Sequence, residues 1–329
     1  MPQPTLCDVK VAVTGAAGFI GSHLCERLLA DGHQVIGLDS FTDYYERSQK
    51  EQNLEAAQQH RNFAFERLDL VEDELAGVLS DAEIVFHLAD QSAVRSSWGS
   101  HFDRFVRDNI VATQRLLEAL KQRTVGRVVY ASSSAVYGDA EMSPTRETAL
   151  PRPISPYGMT KLAAEHLALL YMRNFGLPLV VLRYFTVYGP RQRPDMALAR
   201  FMQALSGGQE IEVFGDGEQA RDFTYIADAV DATVKASSAD VAGQVINVGG
   251  GSRVTINQVL STLGEISGLD VRKRNLPAAP GDPKNAVASI NLARERLGWE
   301  PRVSLRDGLS KQWQWFQESR RRAQVRPGA

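Results

Sequence analysis

Tyr157 and Lys161, four residues apart, are the side chains of this sequence best suited to chemistry. A phenol has a pKa near ~10 and is a poor base at neutral pH unless a fixed cation and a hydrogen-bond donor stabilise its anion. A separation of four places both side chains on one face of a helix beginning near Ser155-Pro156, so Lys161 can supply the cation. The run Ser132, Ser133, Ser134 closes the segment 127–133 (RVVYASS) and points hydroxyls toward the same place. A tyrosine and a lysine at this spacing occur by chance on many helices. Following a strand that ends in serines, they can remove a hydroxyl proton while hydride leaves the same carbon.

A hydride needs an acceptor, and the front of the chain offers a place for one. Residues 9–14 (VKVAVT) read as a buried parallel strand, followed by Gly15, Gly18 and Gly21 where the chain must turn into the amphipathic segment 19–30. Gly15 permits the tight turn, Gly18 lets backbone approach a pyrophosphate, and Gly21 lets helix and sheet pack closely. Phosphate would sit on the helix N-terminus, beside Phe19 and Ile20. The spacing is GxxGxxG rather than GxGxxG. A second strand, 35–39 (VIGLD), ends in Asp39, whose carboxylate can accept both ribose hydroxyls of an adenosine. Asp39 would repel a 2′-phosphate, and Ser40 and its neighbours include no arginine to neutralise one, so the reading is NAD rather than NADP. An ordinary turn aspartate is the alternative. A third strand ends at Asp69-Leu70, suited to the adenine edge, and a fourth at Leu88-Ala89, also assigned to the cofactor.

Strands at 9–14, 35–39, 63–69, 84–89, 127–133 and 179–185 alternate with helical segments, which predicts an α/β fold with a doubly wound parallel sheet and a ligand at the strands' carboxyl ends. After Gly189-Pro190 the pattern loosens. We expect a dinucleotide-binding Rossmann domain over 1–185 and a smaller substrate-facing lobe over 186–329, with a strand near 244–248 returning to the main sheet. The chain has 329 residues, with 37 Lys+Arg against 39 Asp+Glu, a balance that gives no reason to expect nucleic acid or membrane as partners. Arg320, Arg321, Arg322 and Arg326 read as a solvated terminus. Cys7 and Cys25 form no CxxC pair, and with no signal peptide or spanning segment a cytoplasmic location is expected. The six histidines are scattered, so no metal site is expected; His87 reads as the end of a buried strand.

The motifs together resemble the extended short-chain dehydrogenase/reductases, and within them the NAD-dependent nucleotide-sugar epimerases. The resemblance covers nearly the whole length, through TGAAGFIGSH (14–23), VFHLA (85–89), SSSAVYG (132–138), SPYGMTK (155–161), LRYFTVYGPRQRPDM (182–196) and FGDGEQARDFTYIAD (214–228). It implies Tyr157 as base, Lys161 on the nicotinamide ribose and on Tyr157, Ser133 assisting the sugar's 4-oxygen, and Arg221 on the diphosphate of a UDP-sugar. In such enzymes the segments 102–122 and 156–175, both rich in apolar residues at helical spacing, pair across a two-fold axis, so a homodimer is expected.

Several residues bear on the sugar. Phe185-Thr186 stands where UDP-galactose 4-epimerases usually carry Asn at the second position, making with Ser133 and Ser134 a donor-rich pocket suited to a carboxylate. Segments 94–98 (VRSSW) and 191–195 (RQRPD) look like those of UDP-glucuronate 4-epimerases, with Arg95 and Arg193 balancing the uronate charge; the alternative is that both meet only phosphate or cover the site. Decarboxylases of UDP-glucuronate typically put Glu where this chain has Ala135, and the Asp-Glu pair of a 4,6-dehydratase is missing from the serine run. The expected reaction is 4-epimerisation of UDP-glucuronate to UDP-galacturonate through a 4-keto sugar, Ser134 and Thr186 restraining the carboxylate against loss of CO₂. UDP-glucose/UDP-galactose 4-epimerase and UDP-glucuronate decarboxylase are the alternatives. Asp90 is a misfit, since the resembling sequences usually read His-Leu-Ala-Ala there. A carboxylate at that place needs solvent or a partner, with Arg95 or a backbone donor as candidates.

Overall fold

The computed structural model describes residues 9–140 and 142–325. Cys7 and Arg326 lie outside the described residues. Six strands appear where apolar runs predict them: β1 (Lys10–Thr14), β2 (Gln34–Asp39), β3 (Phe63–Arg67), β4 (Ile84–His87), β5 (Arg127–Ser133) and β6 (Leu179–Tyr184). They join a seventh, Val245–Val248, in one wholly parallel sheet of order Val245–Val248, β6, β5, β4, β1, β2, β3. The chain reverses direction across the sheet between β1 and β4, and a crevice must open there at the carboxyl ends.

Both faces of the sheet are covered, which is why its strands read as continuous apolar runs. Alternate residues go to opposite sides. Val11, Val13, Val129, Val180 and Leu182 pack with helix α1 (Phe19–Ala30) and the helix Ile226–Ser238. Ala12, Val128, Tyr130, Leu179 and Val181 face the other layer. That layer is built from α3 (Phe102–Phe105), α4 (Ala112–Leu120) and α5 (Pro156–Phe175), whereas α2 (Arg47–Gln58) packs beside α1 on the first face, where Leu54 and Ala57 are buried. α5 is sharply bounded: Ser155 Oγ accepts the Gly158 amide at 3.1 Å, Pro156 opens the first turn, and Gly176 takes the left-handed conformation at the end (φ 69°).

The expected continuous helix over 102–122 is instead broken by a π-helical turn, Val106–Val111. Its cause is Asn109, which turns inward. The Asn109 amide accepts from the Gln91 amide nitrogen at 2.7 Å and donates to Gln91 O at 3.1 Å and to Thr160 Oγ1 at 2.9 Å. No helix among the described residues is long and apolar enough to cross a membrane, and none of their His, Cys, Asp and Glu side chains group in a way that could hold a metal ion.

Candidate active site

A cleft of about 1010 Å³ opens at the carboxyl ends of the strands. Gly15, Gly18, Phe19, Ile20, Gly21, Asp39, Ser40, Asp69, Leu70, Leu88 and Ala89 line one part of it. Ser133, Ser134, Tyr157, Thr186, Arg95, Arg193 and Arg221 line the rest. Lys161 is the exception among the expected residues. It is only 2 % exposed and stands behind the wall, touching what lines it.

The glycine turn is sterically fixed. Gly15 has φ 70°, and a Cβ there would lie 2.9 Å from the Ala89 nitrogen. A Cβ on Gly21 would lie 2.0 Å from the Gly15 carbonyl oxygen, so the close approach that Gly21 allows is of α1 to the glycine turn rather than to the sheet. The first-turn amides of α1, at Phe19, Ile20 and Gly21, have no carbonyl in their own helix to bond, and the cleft meets them there. Asp39 accepts the Ala17 amide at 3.1 Å and the Phe41 amide at 2.9 Å. A carboxylate has about four acceptor sites, so capacity for ribose hydroxyls is left. Burial pushes its carboxyl upward, opposed by the Phe41 amide, Lys50 and the Ala17 amide. Asp69 accepts the Val71 amide at 2.8 Å and pairs with Arg107 at 2.9 Å. A deep cleft, a helix end with orphan amides and a half-satisfied carboxylate fit a dinucleotide.

Tyr157 meets its expected companions. The Ser133 hydroxyl is hydrogen-bonded to the phenol, and Phe105 packs edge-on to the ring at 6.4 Å. Gly158 makes this closeness possible, because a Cβ there would lie 2.5 Å from the Ala135 carbonyl oxygen on the turn that follows the serines. Ser133 also accepts the Ala135 amide at 3.1 Å, which holds its hydroxyl at the strand end. Lys161 lies over the Tyr130 ring at 4.9 Å. Burial alone would lower its pKa, but Tyr130, Asp90 and Tyr157 outweigh burial and the net direction is upward, so the cation is secure. For Tyr157, burial and then Asp90 push the phenol upward; Lys161, the Ser133 hydrogen bond and Arg193 pull it down.

A buried polar chain behind the wall connects the two halves of the site. Thr113 Oγ1 donates to Asn109 O at 2.6 Å, so it accepts from His87 Nε2 at 2.9 Å, and His87 Nδ1 then accepts from Thr14 Oγ1 at 2.8 Å. Thr14 Oγ1 in turn accepts the Leu88 and Ala89 amides, each at 3.1 Å. Asn109 continues to Thr160, whose hydroxyl donates to the Tyr157 carbonyl at 2.9 Å. His87 is therefore neutral, its pKa lowered to about 3 by burial and then by Lys161. Periodicity hides this chain, because threonines and an asparagine inside apolar segments look like ordinary core fillers.

The arginines differ from expectation. Arg193 grips Asp195 through two bonds, of 2.9 and 3.0 Å, and donates to Ser92 O at 3.1 Å. Arg95 lies 3.8 Å over the Phe214 ring and 4.0 Å from Asp282. Arg221 pairs with the same Asp282. Arg95 thus belongs with Arg221 and Phe214, and neither Arg95 nor Arg193 is an unpaired counter-charge. Arg95 is also not the partner of Asp90. Asp90 Oδ2 lies 3.3 Å from Lys161 Nζ and accepts the Tyr157 hydroxyl at 3.3 Å. Asp195, Asp282, Phe214 and Lys50 were not singled out as site residues. Of these Asp195 closes the 191–195 segment and Phe214 heads the 214–228 segment, whereas Asp282 and Lys50 stand in no motif.

Residues 11–249 match the family model described as NAD dependent epimerase/dehydratase family. An uncharacterised UDP-glucose epimerase of Bacillus subtilis is 43 % identical over 92 % of this chain and 96 % of its own length. A UDP-glucuronate 4-epimerase of Thermodesulfobacterium geofontis is 36 % identical over 93 % of this chain and 96 % of its own. Among solved structures, UDP-glucuronic acid 4-epimerase from Bacillus cereus, in complex with UDP-glucuronic acid and NAD, superposes with a TM-score of 0.92 at 43 % identity. That match covers 94 % of this chain and all of the other. With its seven-stranded parallel sheet, its glycine turn and its Ser133, Tyr157 and Lys161 around one cleft, this chain belongs to the NAD dependent epimerase/dehydratase family and uses NAD as its cofactor.

Proposed function

We propose that the chain is an NAD-dependent nucleotide-sugar 4-epimerase that converts UDP-glucuronate to UDP-galacturonate. The observation that carries the epimerase reading is Tyr157, hydrogen-bonded to Ser133 and backed by the Lys161 cation, in the cleft that also holds the glycine turn. Residues 1–185, with the strand at 245–248, hold the dinucleotide between the glycine turn, Asp39, Ser40, Asp69-Leu70 and Leu88-Ala89. Residues 186–329 supply most of the nucleotide-sugar contacts, with Arg221 on the diphosphate. When bound, NAD accepts hydride from the sugar's C4 and returns it.

The chain's own residues handle the proton. Tyr157 as phenolate takes the C4 hydroxyl proton, Ser133 donates to the same oxygen as it becomes a carbonyl, and Lys161 holds the anionic form in low-dielectric surroundings. The 4-keto sugar then presents its other face, and Tyr157 returns the proton to an oxygen of inverted configuration. Lys161 stays charged throughout.

Uronate recognition rests on hydroxyls rather than on free cations. Ser134 and Thr186 line the cleft with Ser133, and relatives include one named for UDP-glucuronate and one solved with it. Donors held at a C5 carboxylate also keep its breaking bond out of line with the C4 carbonyl, opposing decarboxylation of the β-keto acid. The second reading, UDP-glucose as substrate, is favoured by the pairing of Arg95 and Arg193 with acids and by the name of the Bacillus subtilis relative. A panel of UDP-sugars with separation of products decides between them. UDP-glucuronate should exceed UDP-glucose in kcat/KM by at least ~10²-fold, since donors placed for a carboxylate are left unpaired around a hydroxymethyl group. Thr186→Val should shrink that ratio. Equal turnover of the two sugars would remove the uronate reading and leave the epimerase standing.

A further inference from the structure

Asp90 is a charged group beside the tyrosine-lysine pair that the proposed reaction does not use. Asp90 follows the strand end at Leu88-Ala89, lines the cleft and has one oxygen, Oδ2, at 3.3 Å from both Lys161 Nζ and the Tyr157 hydroxyl. From this triangle we infer that Asp90 is a positioning residue that keeps Tyr157 protonated and divides the Lys161 cation between two anions, so that the carboxylate sets the pH above which the enzyme works. The inference rests on the reading of Tyr157 as the base.

Three effects act in one direction. The hydrogen bond runs from the phenol to the carboxylate, and only the neutral phenol can donate it, so the contact favours the protonated form. A negative charge beside a forming phenolate opposes ionisation directly, and it ranks next after burial among the influences that raise the phenol. Lys161, whose proximity should favour the phenolate, already faces Asp90 as a partner. Lys161 is tied on α5 together with Tyr157, so it cannot leave one for the other.

The other charged and titratable groups around the triangle do not cancel this. Tyr130 on β5 faces Lys161 through its ring and hydroxyl, and His87 on β4 is neutral. Arg193 favours both anions, but its guanidinium is committed to Asp195. Glu165 is bound to Arg183 and Ser132. Asp90 is thus the anion in direct contact with both members of the tyrosine-lysine pair.

Replacing Asp90 by Asn removes the charge and keeps the size. In Asp90→Asn the acid limb of the kcat/KM profile should move down by ~1–3 pH units, and on the rising limb activity at a fixed pH should increase ~10-fold for each unit moved. Asp90→Ala should move the limb in the same direction. The ionisation itself can be read without sugar by ultraviolet difference titration of tyrosinate, subtracting a Tyr157→Phe background from each protein. The Tyr157 component should titrate lower in Asp90→Asn than in the unaltered enzyme. An unchanged limb and unchanged titration in Asp90→Asn would overturn the proposal, as would a shift seen in Asp90→Ala alone, which would report lost volume rather than lost charge. If Tyr157→Phe retains most activity, the base assignment fails instead, and the tyrosinate titration still tests the Asp90 effect.

Discussion

Tyr157 and Ser133 touch, yet only one of them has to exchange a proton with the sugar. Tyr157→Phe deletes the hydroxyl and leaves the ring against Phe105, so NAD and UDP-sugar binding should persist while kcat falls ~10²–10⁴-fold or more. Retained turnover by product analysis would sink the base assignment. His87 makes a second residue-scale prediction. Its pKa is lowered from 6.5 to about 3 in the folded protein, so the unfolded chain binds a proton that the native state refuses. Stability from this group is complete above 6.5 and is lost as pH falls toward 3. Between pH 7 and pH 5 the loss is about 2 kcal/mol, at about 1.4 kcal/mol per unit. In His87→Gln, urea unfolding should show a pH dependence shallower by about that amount over the same interval. An identical slope would mean that His87 takes up its proton as readily in the native state as in the unfolded chain.

At the scale of elements, α5 is positioned by two contacts of different kinds. The first is steric: Gly158 lets the helix lie against the Ala135 carbonyl. Gly158→Ala should push Tyr157 from Ser133 and lower kcat more than it weakens NAD binding, measured by steady-state kinetics against titration of the cofactor. The second is ionic. Glu165 on α5 and Arg183 on β6 form a buried pair, with Glu165 also accepting from Ser132 at 2.7 Å and Arg183 lying 4.6 Å from the Tyr137 ring centre. Glu165→Ala would leave a buried guanidinium unpaired and should cost about 3–5 kcal/mol in urea unfolding, whereas Glu165→Leu with Arg183→Met should recover most of it. The strands, α1 and α5 were legible because apolar period, glycine spacing and the Ser155-Pro156 cap all lie within short windows. Asn109 was not, because its reason to turn inward is Gln91 and Thr160, eighteen residues before it and fifty-one after it. Asp282, which pairs with Arg221 sixty-one residues before it and also faces Arg95, was illegible for the same reason, so the charge of Arg95 looked free; Arg193 differs, because its partner Asp195 stands two residues away in the same segment.

For the whole molecule the question is what covers the outer helices. Met159, Leu170 and Phe175 on α5 are 53, 53 and 55 % exposed, and Phe102 and Val111 on the neighbouring segment 42 and 38 %. Their inward-facing neighbours Ala164, Ala168, Leu116 and Leu117 already complete the core on that side of the sheet. Apolar side chains left outside on two adjacent helices are what a self-complementary interface needs, and two such helices from each of two copies would form a four-helix contact about a two-fold axis. We therefore expect a homodimer at micromolar concentration by light scattering, with a melting temperature that rises with protein concentration. Met159→Lys with Leu170→Glu changes exposed positions and should give a folded monomer. Because α5 also carries Tyr157 and Lys161, loss of the partner should leave that helix less supported and lower kcat while the far-ultraviolet spectrum stays unchanged. A monomeric unaltered protein would refute the dimer, and the apolar stripe on α5 would then need another explanation.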